Sequence, residues 1–221
     1  TVAAACLLAL AATTVFLRAE ADAAGAERAV VFRTRTMGAW ASLTLVTADS
    51  AAVADLARAS LLSLHHTDSL MTNWTTTSEV ARINGTAGVG ATVVEPEVAA
   101  VLELAGDVTA ASGGAFDITV EPLVRLWGFI GGTPHVPEPA LLAAAQRLVG
   151  WNRVSFEPAS GRFELPDAGM RIDLGGIAKG YGVDRVAALL HRAGVTDALV
   201  DLTGNMAAIG TAPGRAPGQE G

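Results

Sequence analysis

Residues 171–184 read RIDLGGIAKGYGVD, and the order of elements in this stretch decides the organisation of the chain. The pattern predicts a strand over residues 170–174, a tight turn at Gly175-Gly176, and a helix over residues 177–193 with Lys179 in its first turn. A strand that leads through two glycines directly into a helix is a frequent frame for a binding site, because the helix begins with unpaired N–H groups.

The residue types at this turn suit a negatively charged ligand. Asp173 ends the predicted strand, Gly175-Gly176 lets the backbone approach closely, and Lys179 adds a positive charge beside the helix N-terminus. Such a combination fits a diphosphate, although the spacing matches neither a P-loop nor the G-x-G-x-x-G dinucleotide motif. The same residues also fit an ordinary strand–turn–helix with an incidental lysine, and the local pattern leaves both interpretations open.

A second candidate segment follows the glycine pair Gly113-Gly114. Phe116 and Asp117 emerge from this break, where backbone groups are free to contact a ligand. Asp117 and Thr119 are suited to hydrogen-bond a sugar or an adenine, and the alternative is that Asp117 caps the turn. Downstream apolar residues are predicted to lie in the core: Leu123, Leu126 and Trp127.

The third candidate is a polar loop around one large aromatic residue. Trp74 lies in the sequence MTNWTTT, which covers residues 71–77. An indole in such a loop is suited to stacking on an aromatic ring of a ligand. It is equally suited to anchoring the loop in the core, so the sequence leaves the two roles open.

Strands and helices alternate along the chain without a regular βαβ repeat, which predicts an α+β fold with mixed sheets and packed helices. We expect one strand on each side of Met37-Gly38, a helix over 49–70 and a short helix that is capped by Thr77 or Ser78. Further helices are expected from Pro96 and over 138–149. A hairpin is expected over 151–156 and 161–165, and strands are expected over 198–202 and 206–209.

Composition excludes several classes of protein. The net charge is −7 and no cluster of basic residues is present, which argues against a nucleic-acid partner. Cys6 is the only cysteine, so the 221 residues hold neither an intramolecular disulfide nor a cysteine-based zinc site.

The N-terminal residues predict export from the cytoplasm. Residues 2–17 are uncharged and apolar, and the small residues Ala21 and Ala23 follow at a spacing typical of signal cleavage. Residues 1–28 are therefore interpreted as an export signal or anchor with a linker. A cleaved signal, a retained anchor that associates with the membrane, and lipidation at Cys6 remain open, and each places the protein in the periplasm or on the extracytoplasmic face of the membrane.

Four segments together resemble the ApbE-type FAD:protein FMN transferases, which were historically labelled thiamine-biosynthesis lipoproteins. They are TMG at 36–38, MTNWTTTSEVARIN at 71–84, GGAFDITVEPLVRLWGF at 113–129 and IDLGGIAKGYGVDRVAALLHRAG at 172–194. The resemblance runs from about residue 35 to residue 210, and the last segment is the most specific. It implies that residues 29–221 form a flavin transferase domain whose C-terminal part is missing.

The resemblance also implies particular residue roles. Contacts to FAD would come from Met37, Trp74, Ala115, Phe116, Asp117, Thr119, Asp173 and Lys179, with Asp173 and Lys179 acting in catalysis. Mg²⁺ would be held by the main-chain carbonyl of Gly176 and by further ligands in the missing region.

The implied reaction is Mg²⁺-dependent transfer of FMN from FAD to a Thr or Ser hydroxyl of an acceptor protein, with release of AMP. The implied acceptor is a flavoprotein of a membrane electron-transfer complex. Two alternatives stay open, namely an Mg²⁺-dependent FAD pyrophosphatase that uses water in place of the hydroxyl, and a non-catalytic periplasmic protein that binds FAD.

Overall fold

The computed structural model describes residues 26–211 and the backbone of residues 16–18. All strand pairings in the described part are antiparallel, and they form two sheets. One sheet has five strands in the order β1-β2-β3-β7-β8, and the other has three in the order β4-β6-β5. The predicted α+β class is confirmed.

The strands have the following bounds: β1 Phe16–Arg18, β2 Arg28–Thr36, β3 Ala39–Thr47, β4 Thr92–Val93, β5 Ser155–Glu157, β6 Arg162–Glu164, β7 Ala198–Leu202 and β8 Asn205–Ile209. The helices are α1 Ser50–Met71, α2 Glu79–Gly85, α3 Pro96–Ala111, α4 Glu121–Leu126, α5 Pro139–Gln146 and α6 Ala178–Arg192. None of these helices is long and apolar enough to cross a membrane.

The large sheet is covered on one face by α1 and α6. Alternation along β2 and β3 places residues such as Phe32 and Leu43 on the covered face, where they pack against Leu61 and Leu64 of α1 and Val186 of α6. A second apolar core joins α3, the small sheet and the segment before α6. The functional site described below lies where these two bodies of packing meet.

The first half of the chain forms the elements that the sequence predicts. Met37 and Gly38 make the two-residue turn between β2 and β3, and both have positive φ angles, of 50° and 71°. Ser78, one of the two predicted caps, accepts a hydrogen bond from Ala81 N at the start of α2. Pro96 begins α3, and Ser112 caps its end.

Three predictions in the second half are wrong. Residues 170–174 form no strand, because the backbone of Ile172 bonds to the side chain of Asn84 and that of Asp173 bonds to Ile118. Trp151 lies in a 3-10 turn, and the hairpin strand begins at Ser155. The predicted core residues are only half-buried: Leu123, Leu126 and Trp127.

The predicted signal or anchor lies mostly outside the described residues. Its described parts are residues 26–28, of which Arg28 begins β2, and β1, which pairs with β2 through Leu17 opposite Phe32. Residues 212–221, at the end of the predicted transferase domain, also lie outside.

Candidate nucleotide-binding site

A cavity of about 480 Å³ opens between the two bodies of packing. Its size is within the range of small-ligand sites. Its walls come from the β2–β3 turn, the end of α1, the loop before α2, α4 and the segment after it, the glycine turn and the start of α6. The lining residues are Met37, Gly38, Asp68, Met71, Thr72, Asn73, Trp74, Val124, Phe129, Ile130, Asp173, Gly175, Ala178 and Lys179. The structure therefore brings together four of the predicted site residues: Met37, Trp74, Asp173 and Lys179.

Asp173 is held by hydrogen bonds on both sides of its backbone. Its own N–H donates to Ile118 O at 2.7 Å, and the preceding Ile172 exchanges two hydrogen bonds with the Asn84 side chain, at 2.7 and 3.0 Å. Its carboxylate Oδ1 accepts the N–H of Gly175 at 2.8 Å. This bond closes the turn and fixes the carboxylate at the wall of the cavity.

Lys179 brings positive charge to the same wall. It is the only lysine among the 221 residues, it lies at the second position of α6, and it is half-buried. Within the described residues no carboxylate lies within ion-pair distance of its amino group, and the first turn of α6 holds no acidic residue. The potential of the helix N-terminus adds to that of the lysine, so the Lys179 side of this wall attracts an anion, whereas Asp173 beside it carries the opposite charge.

Two exposed aromatic side chains also line the cavity. Trp74 is 74% exposed and Phe129 is 59% exposed, and both line the cavity. Large apolar side chains that remain exposed beside a cavity are suited to stacking on a planar ring. Of the two roles left open for Trp74, a core anchor is excluded by this exposure. Phe129 is the last residue of the motif at 113–129, but it was not predicted as a site residue.

Ala115 and Phe116 lie behind the glycine turn, outside the residues that line the cavity. Ala115 is exposed, and the half-buried ring of Phe116 packs against Gly176. The ring leaves little room for a side chain at residue 176, because an added Cβ would come within 3.2 Å of Phe116 Cε2. Phe116 therefore supports the turn whose backbone faces the site.

Asp117 and Thr119 mainly join the turn after Gly113-Gly114 to the backbone of Gly150 and Trp151. Asp117 accepts hydrogen bonds from Thr119 N and Thr119 Oγ1 through one carboxylate oxygen, and from Trp151 N through the other. Thr119 is fully buried, and its hydroxyl also accepts the N–H of Gly150 at 2.7 Å. Asp117 thus caps the turn, as the alternative interpretation held, and the enclosed Thr119 side chain has a supporting position rather than a surface for the ligand.

Asp68 and Asn73 also line the cavity, and neither was predicted as a site residue. Asp68 occupies the last turn of α1, where an aspartate looks like any solvated residue of an amphipathic helix. Asn73 donates to Ile172 O and accepts from Asn84 Nδ2. In the sequence, a role for Asn73 was indicated only by its place beside Trp74 in the motif at 71–84.

The described residues do not show the Mg²⁺ site that the family resemblance implies. They contain no group of three or more His, Cys, Asp or Glu side chains that could hold a metal ion. The turn at Gly175-Gly176 is exposed, so the Gly176 carbonyl is accessible as one oxygen donor of the kind Mg²⁺ prefers.

A lysine and a glycine turn that share a cavity with exposed aromatic side chains suit a nucleotide as ligand of this α+β protein, and comparison with known proteins narrows the class. The ApbE family model matches residues 37–219. The chain belongs to the ApbE family.

Two curated relatives are similar over much of the chain. An FAD:protein FMN transferase from Treponema pallidum is 36% identical over 138 residues, which cover 60% of this chain and 38% of that protein. An FAD:protein FMN transferase from Klebsiella pneumoniae is 29% identical over 198 residues, covering 87% of this chain and 56% of that protein. The chain thus spans about half the length of the curated relatives it matches.

A solved structure shares the fold. The apo crystal structure of the flavinyl transferase ApbE from Pseudomonas stutzeri superposes with a TM-score of 0.77 at 30% sequence identity. The match covers 85% of this chain and 63% of that one.

Proposed function

We propose that the full-length protein is an FAD:protein FMN transferase. The observation that carries the proposal is the pairing of an anion-attracting end, formed by Lys179 and the glycine turn, with an aromatic wall in one cavity. FAD has the matching chemistry, namely a charged diphosphate between two planar rings. Membership of the ApbE family and the names of the two relatives support the same activity.

In the proposed reaction, a Thr or Ser hydroxyl of the acceptor attacks the phosphorus on the FMN side of the diphosphate. A new oxygen–phosphorus bond forms, and the anhydride bond breaks with its electron pair passing to AMP. The hydroxyl proton is released to solvent. FMN remains joined to the acceptor by a phosphoester.

The residues of this chain act in the reaction by position and charge. Lys179 binds and neutralises diphosphate oxygens, the glycine turn allows close approach of the backbone, and Trp74 with Phe129 orients a planar ring. Asp173 holds the turn through Gly175 N. Bound Mg²⁺ would supply charge neutralisation at the diphosphate, with the Gly176 carbonyl as one ligand and the others from outside the described residues.

The acceptor and the cellular location are further parts of the proposal. We propose an acceptor flavoprotein of a membrane electron-transfer complex, because the family resemblance implies one. Location at the extracytoplasmic side of the membrane is supported by the uncharged residues 2–17 alone.

The test uses the full-length protein with FAD, Mg²⁺ and a candidate acceptor, and the acceptor is then weighed intact by mass spectrometry. We expect a gain equal to FMN minus water, which is lost when Mg²⁺ is chelated and in Asp173→Ala. Asp184→Ala is the matched control, because Asp184 is an exposed aspartate of α6 outside the cavity, and it should leave the gain unchanged.

Two outcomes would overturn the transferase. Release of free FMN and AMP with no gain in acceptor mass would indicate the pyrophosphatase. If FAD stays intact after incubation with Mg²⁺ and each of a set of exported flavoproteins, the protein only binds FAD.

A further inference from the structure

Asp68 joins the end of α1 to the turn between β2 and β3. Its Oδ2 atom accepts the backbone N–H of Met37 at 2.7 Å and the hydroxyl of Thr36 at 3.3 Å. Its own main-chain carbonyl accepts Thr72 N at 3.0 Å, at the end of α1. One residue therefore ties together two walls of the cavity, and it lines that cavity itself.

The conformation of Met37 explains why such a tie is needed. Its φ angle of 50° lies in the left-handed region, where a residue with a branched or long side chain is unfavourable without support. Met37 and Thr203 are the only non-glycine residues with positive φ in the described part of the chain. At Met37 the supporting bond comes from Asp68, because the carboxylate receives the N–H that this conformation turns toward α1.

We propose that Asp68 is a positioning residue for the FAD site, acting through Met37 rather than on the reacting atoms. The carboxylate keeps the Met37-Gly38 turn in the left-handed form, and this places the Met37 side chain and the Gly38 backbone at the cavity wall. The inference rests on the proposed function, since it assigns the cavity to FAD.

Loss of this support should weaken binding and leave the chemical step intact. When only a fraction of molecules has the competent turn, the apparent dissociation constant rises by the inverse of that fraction. We expect Asp68→Ala in the full-length protein to raise Kd and KM for FAD about 10-fold, with kcat changed less than about twofold. Asp68→Asn retains an acceptor oxygen, so its Kd should stay within about threefold of wild type.

Two further variants separate positioning from a general effect on folding. Asp49→Ala removes a carboxylate that accepts two backbone N–H groups at the other end of the same helix, from Ala51 and Ala52. It should lower Tm without changing Kd for FAD. Met37→Asn creates an Asn-Gly pair, which favours the left-handed two-residue turn by itself, so adding Asp68→Ala to Met37→Asn should raise Kd less than about threefold relative to Met37→Asn alone.

FAD titration followed by flavin fluorescence, with steady-state kinetics and thermal unfolding, reads out all of these variants. The inference is overturned if Asp68→Ala lowers Tm but binds FAD like wild type, if it lowers kcat at constant KM, or if the Met37→Asn background leaves the loss undiminished. Failure of the wild-type protein to bind FAD would instead overturn the proposed function, and this inference with it.

Discussion

The ring of Phe116 lies against the α-carbon of Gly176, so closely that a Cβ added at residue 176 would approach Phe116 Cε2 to 3.2 Å. The contact joins the loop after α3 to the glycine turn before α6, two segments separated by about sixty residues in the sequence. Neither residue lines the cavity, yet together they fix the backbone that does. This packing predicts that the two positions are energetically coupled.

We expect Gly176→Ala to force the ring aside and to weaken FAD binding by about 1 kcal/mol, as moderate overpacking does elsewhere. Combining it with Phe116→Ala removes the clash, so the double variant should bind FAD no worse than Phe116→Ala alone. Gly180→Ala is the matched control, because a Cβ at residue 180 meets nothing within 4 Å. Additive losses in FAD titrations of the double variant would contradict the coupling.

Lys179 provides the charge at the anionic end of the site, and its removal should be the most costly single change for binding. Loss of a charge-assisted hydrogen bond amounts to about 1.5–3 kcal/mol, or roughly a 10- to 100-fold rise in the Kd for FAD of Lys179→Ala. Lys179→Arg keeps the charge and should recover part of the loss. Arg192→Ala, an exposed cation at the far end of α6, should bind normally, and an equal loss there would show a non-specific charge effect.

The sequence predicted those elements whose signals are local. The turn at Met37-Gly38, the cap at Ser78 and the stripe of α1 that holds Leu61 and Leu64 follow from residue type and periodicity, and all are present. Residues 170–174 have the composition of a strand, but Ile172 bonds to the side chain of Asn84 and Asp173 bonds to the carbonyl of Ile118. No periodic pattern reveals which groups will make these hydrogen bonds.

The candidate site was predictable in the same uneven way. Residue chemistry singled out Trp74, Asp173 and Lys179, the family resemblance added Met37, and the structure places all four at one cavity. Asp68 was missed because its role depends on a turn thirty-one residues away, which only the fold brings into contact.

The side chain of Asn84 supplies the hydrogen bonds that a neighbouring strand would otherwise make to Ile172. It is buried and exchanges hydrogen bonds with Ile172 N, Ile172 O and Asn73 Oδ1. We expect Asn84→Asp to lower the free energy of unfolding by about 2–3 kcal/mol, because a carboxylate cannot donate to the two carbonyl oxygens it would face. The urea midpoint of the full-length protein measures this.

Asn205→Asp is the control for that substitution, since the exposed Asn205 donates only to Leu202 O. A shift in its urea midpoint as large as that of Asn84→Asp would mean that the buried amide has no special role. FAD affinity should fall in Asn84→Asp as well, because Ile172 precedes Asp173.

Glu121 is a fully buried carboxylate that is shared by two arginines. Its Oε1 atom accepts hydrogen bonds from Arg125 Nε at 2.9 Å and from Arg171 Nε at 2.9 Å. Either Arg125→Ala or Arg171→Ala leaves one partner, so each should cost only about 1 kcal/mol of stability. The double variant strands a buried charge and should cost about 3–5 kcal/mol, more than the sum.

Urea unfolding of the wild type, both single variants and the double variant gives the coupling directly. Strict additivity would show that the two arginines act independently rather than as alternative partners of one buried charge. Arg58→Ala serves as the control, because its ion pair with Asp55 lies on the surface of α1 and should contribute less than about 1 kcal/mol.

The carboxyl of Asp197, directly before β7, should make the stability of the protein depend on pH. The backbone N–H of Thr211 donates to Asp197 Oδ1 at 2.7 Å, and this bond, with those from the Thr196 and Thr211 side chains, lowers the pKa of the carboxyl. Because the folded pKa lies below the unfolded one, the stabilisation is complete above the unfolded pKa and is lost as the pH falls through the folded value. Asp197→Ala should therefore have a lower urea midpoint than wild type at pH 7, and the difference should shrink as the pH falls below about 4. A difference that stayed constant down to about pH 3 would assign the effect to packing rather than to charge.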